Sequence, residues 1–401
     1  MQRSLTRQVG ALVKYVKFCL SEYSGESRDI REVRTVHDLG YETTVYAKGP
    51  KNKTYTESGI TYIEEPTIKR YKNAKLNHLV SAKCRLRTLR RIDCDVLSCH
   101  DLYALLMGWM SILGRRKHPL LVYDAHELET GRNMNGAERG KASTALIARL
   151  ERFLMRRCAF TIAVNDSIAD EMLAVHGLPG SMRPVVVRST PSYWEYDAEA
   201  VARNRAGFCR ELGVDPDTAF LAMYHGGLMP DRGIEQIIEA VSWVEGCRLV
   251  VMGNGDDAYA GELRALADAC GVADRVLFHP AVDRGVLESH VAAADVGLVV
   301  LQNVTKNHFF TLPNKFFENI QAEVPVIAAN FPELSRIVGE YGIGLTVDPH
   351  DVDAIASSLE RMRDDAALRQ SCKEGLKEAK RDLCWEREQA VLRDAYETAI
   401  A

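Results

Sequence analysis

The feature that most constrains this chain is an alternation that runs along almost all of its 401 residues: short apolar runs, each followed by an amphipathic stretch of helical length. The runs 12–20, 42–47, 95–98, 120–123, 160–164 and 184–187 read as strands, with helices expected over 28–39, 102–113 and 142–157. Strands that alternate with helices in this way call for a parallel sheet covered on both faces. The rhythm breaks at Ser189-Thr190-Pro191-Ser192-Tyr193-Trp194, a turn-rich connector without periodicity. It then resumes, with strands expected at 220–224, 248–252, 276–278, 296–300, 324–328 and 344–347. The chain is long enough for two domains that each bury a core, so the expectation is α/β: two Rossmann-like domains joined near residue 195, with a last helix over 385–399.

Charge divides the chain at the same place. Residues 1–195 hold 31 Lys+Arg against 21 Asp+Glu, and the remainder holds 20 against 34. Within the first half, residues 69–91 carry nine Lys or Arg and no acid. Such a stretch is a solvated helix face, a surface for anionic lipid or an anionic acceptor, or a nucleic-acid patch. With Tyr71 almost alone as an interleaved aromatic, nucleic acid is not expected as a partner. The ten cysteines are scattered without a CxxC and read as reduced core residues of a cytoplasmic protein. No run approaches the length of a membrane span, and Lys14 and Lys17 interrupt the only apolar run that a signal peptide would need.

Several turns at strand ends carry chemistry. In Thr311-Leu312-Pro313-Asn314-Lys315-Phe316-Phe317-Glu318 a proline precedes a helical pattern whose Lys315 and Glu318 share one face. First-turn amides, the positive end of the helix and a lysine together make a phosphate site; the plainer alternative is a capped surface helix with one ion pair. Tyr224-His225-Gly226-Gly227-Leu228 ends a strand and leads to Asp231-Arg232-Gly233. There Gly226 and Gly227 admit a ligand close to the backbone, and Arg232 suits a diphosphate. Val250-Val251-Met252-Gly253-Asn254-Gly255 has two glycines of a dinucleotide fingerprint, with Ala258 in the third place, but no GxGxxG opens the first half, and a nicotinamide cofactor is not expected.

In the first half, Ser24-Gly25-Glu26-Ser27-Arg28-Asp29 lies between a strand and its helix. Tyr123-Asp124-Ala125-His126-Glu127 follows another strand, and there His126 either hydrogen-bonds a sugar hydroxyl or a phosphate, handles a proton, or makes a structural contact to Asp124 or Asp101. Asp93-Cys94-Asp95 matches a metal-binding DxD but precedes its strand, and no metal ligands are expected.

Taken together, the second half resembles the retaining family 4 glycosyltransferases of the GT-B fold. The segments that carry the resemblance are YHGGLMPDRGIEQIIEAV, RLVVMGNGD, VLFHPAVDRGVLESHVAAADVGLVVL, TLPNKFFENIQAEVPVIA and YGIGLTVDP; SRDIREVRTVHDLGYETTVYA and LVYDAHEL match more weakly in the first half. The resemblance implies two domains facing a central cleft: an acceptor-binding domain over 1–195 and a nucleotide-sugar domain over 196–375. Residues 376–401, with Trp385, Gln389, Leu392 and Tyr396, would form a helix returning to the first domain.

Roles follow by position. Arg232 would hold the donor diphosphate, Lys315 would add charge, and Leu312, Pro313 and Asn314 would lend amides to the phosphates or donor sugar. Glu318, the second acid of the family's Glu-x7-Glu motif, would meet the ribose, and Pro280 and Ala281 would edge the base. Gly25, Gly226, Gly227 and Gly255 would line the donor site, His126 would face the transferred sugar, and Arg28 and Glu127 would meet the acceptor. The motif's first glutamate would fall at Thr311, and the arginine often found after the first strand of this domain appears as Gly227.

The implied activity is sugar transfer, with retention and without a metal or other cofactor, from a nucleotide diphosphate sugar to a glycan or lipid-linked acceptor. It would belong to bacterial polysaccharide or glycoconjugate synthesis, at the cytoplasmic face of the inner membrane, with residues 69–91 in peripheral contact with anionic lipid. A nucleotide-sugar epimerase and a non-catalytic nucleotide-sugar-binding subunit are the alternatives.

Overall fold

The computed structural model describes residues 12–23, 27–131, 140–195 and 197–401. Contacts divide the chain into two units, residues 1–188 with 388–401, and residues 189–387.

The first unit is built on an eight-stranded sheet of β1 (Lys14–Glu22), β2 (Glu42–Lys48), β3 (Lys53–Glu57), β4 (Ile60–Glu65), β5 (Val96–His100), β6 (Leu120–Ala125), β7 (Phe160–Ala163) and β8 (Val185–Val186). Their order is β3-β4-β2-β1-β5-β6-β7-β8, parallel except for β3. The sequence reading did not separate the β3–β4 hairpin. Its two-residue turn, Ser58-Gly59, has positive φ at both positions (51° and 79°), the backbone that matches the twist of paired strands. Central β1 is buried through its middle, so Lys17 lies in the core, fully covered. Residues 69–91 resolve into an approach loop and the helix Ala74–Arg91, whose first amides are capped by the Asn73 side chain.

The second unit has a six-stranded sheet of β9 (Phe220–His225), β10 (Cys247–Met252), β11 (Val276–His279), β12 (Val296–Val299), β13 (Val326–Ala329) and β14 (Gly344–Val347). Their order is β11-β10-β9-β12-β13-β14, all parallel. Helices Ile234–Trp243 and Val352–Asp364 close one core with Leu249, Val251 and Leu298. The helix Asn314–Gln321 joins another, in which Phe316, Phe317 and Ile320 meet Phe331 and Leu334. In both sheets the strand order reverses beside the first strand, between β1 and β5 and between β9 and β12, and the carboxyl ends at such a reversal are where open parallel sheets take their ligands.

The unit boundaries differ from those read in the sequence. The connector 189–195 groups with the second unit. So do residues 376–387, because Leu376, Ala379 and Leu383 are buried in the core that holds Ile320 and Phe331. From residue 388 the helix Trp385–Ile400 belongs to the first unit. Glu388 accepts from the Arg188 backbone N–H at 2.8 Å, and Tyr396 sets its ring edge-on to Tyr15 and Phe160 at 5.6 and 5.1 Å.

Candidate functional site

The reversal between β9 and β12 gathers most of the residues singled out for a donor. β9 ends in Gly226 and Gly227, β10 leads to Asn254 and Gly255, β11 leads to Pro280 and Ala281, and the chain after β12 reaches Leu312, Pro313 and the helix Asn314–Gln321. The Asn254 side chain accepts from the Ala281 N–H at 3.1 Å and ties the second and third turns together. Pro313 stands at the N-cap position, one residue before the helix, and no side chain caps the first-turn amides. Those amides and the positive end of the helix are left for an anion.

Lys315 comes from the first turn of that helix and lies over the face of Tyr224, with Nζ 3.7 Å from the ring centroid. Gly226, at φ +128°, makes room for it: a Cβ there would stand 3.3 Å from the lysine Cε and Nζ. Among the described residues the ammonium has no carboxylate and no hydrogen-bond acceptor, and Arg232 likewise has no carboxylate partner. Burial pulls the Lys315 ammonium down to about 7, the Arg232 charge pulls the same way, and Glu318 opposes them. Two cations near each other without a protein anion between them are an arrangement that an anionic ligand relieves.

The loop that carries Arg232 is held tightly. Asp231 takes φ +65°, uncommon for a residue with a side chain, while its carbonyl accepts from the Gln302 N–H at 3.0 Å. Gly233 follows at φ +74°, where a Cβ would fall 1.9 Å from the Val300 carbonyl oxygen.

Glu318 does not pair with Lys315. Its Oε2 is 3.0 Å from Nε2 of the buried His225, and its Oε1 has no protein partner among the described residues. The plain ion pair considered for this helix is therefore not what the structure has. Counting back the seven residues of the motif from Glu318 also gives Phe310, not Thr311, as the place of the first glutamate; neither is an acid. Gly255 serves a close approach of the chain to itself and not a ligand. A Cβ there would lie 2.2 Å from the Leu228 carbonyl oxygen, so the missing side chain lets two chain segments meet. A sequence cannot distinguish that from room for a ligand.

The residues expected to face the sugar and the acceptor lie in the first unit, in a buried charge cluster at the carboxyl side of β1, β5 and β6. Lys17 Nζ is 3.0 Å from Asp29 Oδ1 and 2.7 Å from Glu32 Oε2, and it also pairs with Asp124. Arg28 reaches Glu32 and Asp124, both at 2.9 Å. Arg28 is thus a buried structural cation and not a group open to an acceptor. His126 Nε2 is 2.9 Å from Asp124 Oδ2 and 3.5 Å from Asp29 Oδ1, and His100, whose ring centroid is 3.9 Å away, sets Nδ1 2.9 Å from Asp29 Oδ2.

Two fixed cations face three carboxylates here, and an imidazolium at His126 makes up the difference. Burial works most strongly against that charge and Arg28 adds to the opposition, but the Asp124 charge together with hydrogen bonds to Asp124 and Asp29 outweighs them, so His126 is raised to about 10. Asp29, His100, Asp124 and His126 place one ligand atom each within 4.8 Å of one another. The Lys17 ammonium, bound to Asp29 and Asp124, already supplies a cation to that group.

Glu127 is exposed beside this cluster, and Gly25 lies outside the described residues. Asp93 pairs with Lys14 and Asp95 with Lys117, away from the cluster. Sequence reasoning missed Lys17, Asp29 and Glu32 as one group, and Tyr224 and His225 as supports for Lys315 and Glu318. The available signal was a lysine inside an apolar strand, which has to be paired if it is buried.

Residues 210–379 match the family model described as Glycosyl transferases group 1, and residues 30–187 match Glycosyltransferase Family 4. A D-inositol 3-phosphate glycosyltransferase of Xylanimonas cellulosilytica is 32% identical over 206 residues, covering 49% of this chain and 46% of the relative. The chain thus spans about half the length of that curated relative. Among solved structures, sucrose-phosphate synthase of Thermosynechococcus elongatus superposes with a TM-score of 0.74 at 16% identity, covering 96% of this chain and 98% of that one. Anabaena HepE in complex with UDP does so with 0.70 at 14% identity, covering 96% and 99%. These are GT-B folds of two Rossmann-like units. The chain belongs to the family 4 glycosyltransferases.

Proposed function

We propose that this chain transfers a sugar from a nucleoside diphosphate sugar to a glycan or lipid-linked acceptor, with retention of configuration. The observation that carries the reading is the pair Arg232 and Lys315, two cations without protein anions beside an uncapped helix start at the switch point of the second sheet. The charge hardest to stabilise in such a reaction develops on the departing diphosphate, and donors fixed in advance are what lowers that barrier. Arg232, Lys315 and the amides after Pro313 would supply that stabilisation without a metal. Glu318, oriented by His225, keeps Oε1 for a ribose hydroxyl.

His126, held as an imidazolium, donates a hydrogen bond and does not accept a proton, which suits a sugar hydroxyl. With no protein base assigned, the acceptor proton passes to an oxygen of the departing diphosphate on the same face, and that route retains configuration. The helix Ala74–Arg91, with Leu79 exposed among Lys75, Lys83 and Arg87, suits peripheral contact with anionic lipid, as a lipid-linked acceptor of a bacterial surface glycan would require.

The test is acceptor-free release of nucleoside diphosphate from a panel of nucleotide sugars. Slow release supports transfer, formation of an epimeric sugar nucleotide supports an epimerase, and binding without any turnover supports a non-catalytic subunit. Arg232→Ala should lower release by about 100-fold or more with the fold intact by circular dichroism; unchanged release would remove the assigned site.

A further inference from the structure

The first unit contains a hollow that none of the residues above accounts for. It lies where β1, β2 and β4 end, with a volume of about 720 Å³, and its walls include Lys48, Lys69, Tyr71, Asn77 and His78. A smaller recess of about 80 Å³ shares Glu22, Lys48, Gly49 and Pro50 with it and runs back to Tyr55 and Tyr62. The larger volume falls within the range of small-molecule sites.

The wall is a constructed one. Asn77 Oδ1 accepts from the Arg70 and Tyr71 N–H groups at 3.1 and 2.8 Å, and its Nδ2 donates to the Tyr71 carbonyl at 2.8 Å. Ser81 Oγ accepts from the Ile68 N–H at 2.9 Å. These bonds tie the loop 68–71 to the first turns of the helix Ala74–Arg91 and hold Tyr71, 40% exposed, at the rim. In the recess, Tyr55 and Tyr62 stack at 5.0 Å and Tyr23 leans on Tyr62 at 5.7 Å. Tyr55 is anchored by its hydroxyl to Glu64 at 3.0 Å.

The exposed Tyr71 ring suits the apolar face of a pyranose ring, with the Tyr23, Tyr55 and Tyr62 rings, packed on one another and under Lys53, as backing. Lys48 and Lys69 give one rim a cationic character beside Glu22, and His78 adds a hydrogen-bonding ring. Lys48 has only a loose pair with Glu22 at 3.6 Å. Lys69 has no ion-pair partner among the described residues.

We infer that this hollow is the acceptor site and that the acceptor is an anionic glycan, a sugar carrying a phosphate or carboxylate, with a ring against Tyr71 and the anion toward Lys48, Lys69 and His78. The inference rests on the glycosyl-transfer reading and names the acceptor class for it. The geometry also explains why the basic stretch is interrupted by Tyr71 and Asn77: one is the platform and the other its fastener.

The test uses the full chain and saturation-transfer NMR with two probes, maltose 1-phosphate and maltose. The phosphorylated probe should bind about tenfold or more tightly than the neutral one. Lys69→Glu should reduce that preference at least about fivefold, and Tyr71→Ala should weaken both probes. The thermal shift given by UDP should be unchanged in both variants. Equal binding of the two probes, or binding that neither substitution alters, overturns the inference. If the probes bind as expected while no nucleotide sugar is turned over, the transfer reading fails and the anionic-glycan site remains. Turnover of nucleotide sugar without selective probe binding has the opposite meaning.

Discussion

Lys315 shows how much one residue can hold and how little of it a sequence displays. The position was legible as a candidate, because a proline before a helical pattern and a lysine in its first turn suit an anion as well as they suit a capped surface helix. Its environment was not. The Tyr224 ring beneath it and Gly226 beside it are 91 and 89 positions away in sequence. The consequence is measurable. With its ordinary value of 10.5 drawn down to about 7, Lys315 is largely neutral at pH 8, and a bound diphosphate restores the charge. Calorimetry of UDP binding at pH 8 in buffers of different ionisation enthalpy should show uptake approaching about one proton, falling toward none near pH 6. Lys315→Met should abolish the uptake, and a wild-type enthalpy independent of buffer would contradict the assignment.

At the scale of elements, the carboxyl ends of β1, β5 and β6 hold a cluster whose stability depends on pH in a defined direction. His126 is raised from 6.5 to about 10, so its contribution is complete below 6.5 and is lost as pH rises through about 10. Asp29 and Asp124 are held well below their ordinary 3.8, chiefly by Lys17 and Arg28 respectively against the cost of burial. Their contribution is present above 3.8 and is lost as pH falls through the lowered values. Urea unfolding should therefore find the cluster most stabilising between about pH 4 and 6.5, with a decline on the alkaline side. Asp124→Asn leaves Lys17 and Arg28 short of a carboxylate and should cost about 3–5 kcal/mol, with His126 titrating at lower pH by NMR. An unshifted His126 would separate the ring from Asp124.

The elements were uneven in legibility for related reasons. The buried strands of both sheets could be read because apolar runs of strand length have few other uses. The hairpin of β3 and β4 could not, since its exposed, polar residues leave only a Ser-Gly turn as a signal. The Lys17 cluster was hidden because Lys17 and Asp124 lie 107 positions apart and the lysine looked like an interruption of an apolar run.

For the whole molecule, the most consequential arrangement is that residues 388–401 group with a unit otherwise made of residues 1–188. Tyr396, 1% exposed between Tyr15 and Phe160, anchors this helix. Tyr396→Ala should cost about 3–5 kcal/mol in urea unfolding, and a loss below about 1 kcal/mol would show that the helix is only an appendage. The same arrangement imposes an order on biosynthesis. At about 5–20 residues per second, the ribosome spends on the order of 10–40 s on residues 189–387 before the closing helix is made. During that interval Tyr15 and Phe160 lack the Tyr396 ring that covers them, so the nascent first half carries an uncovered aromatic face. The second unit, continuous in sequence, is complete before the first is sealed.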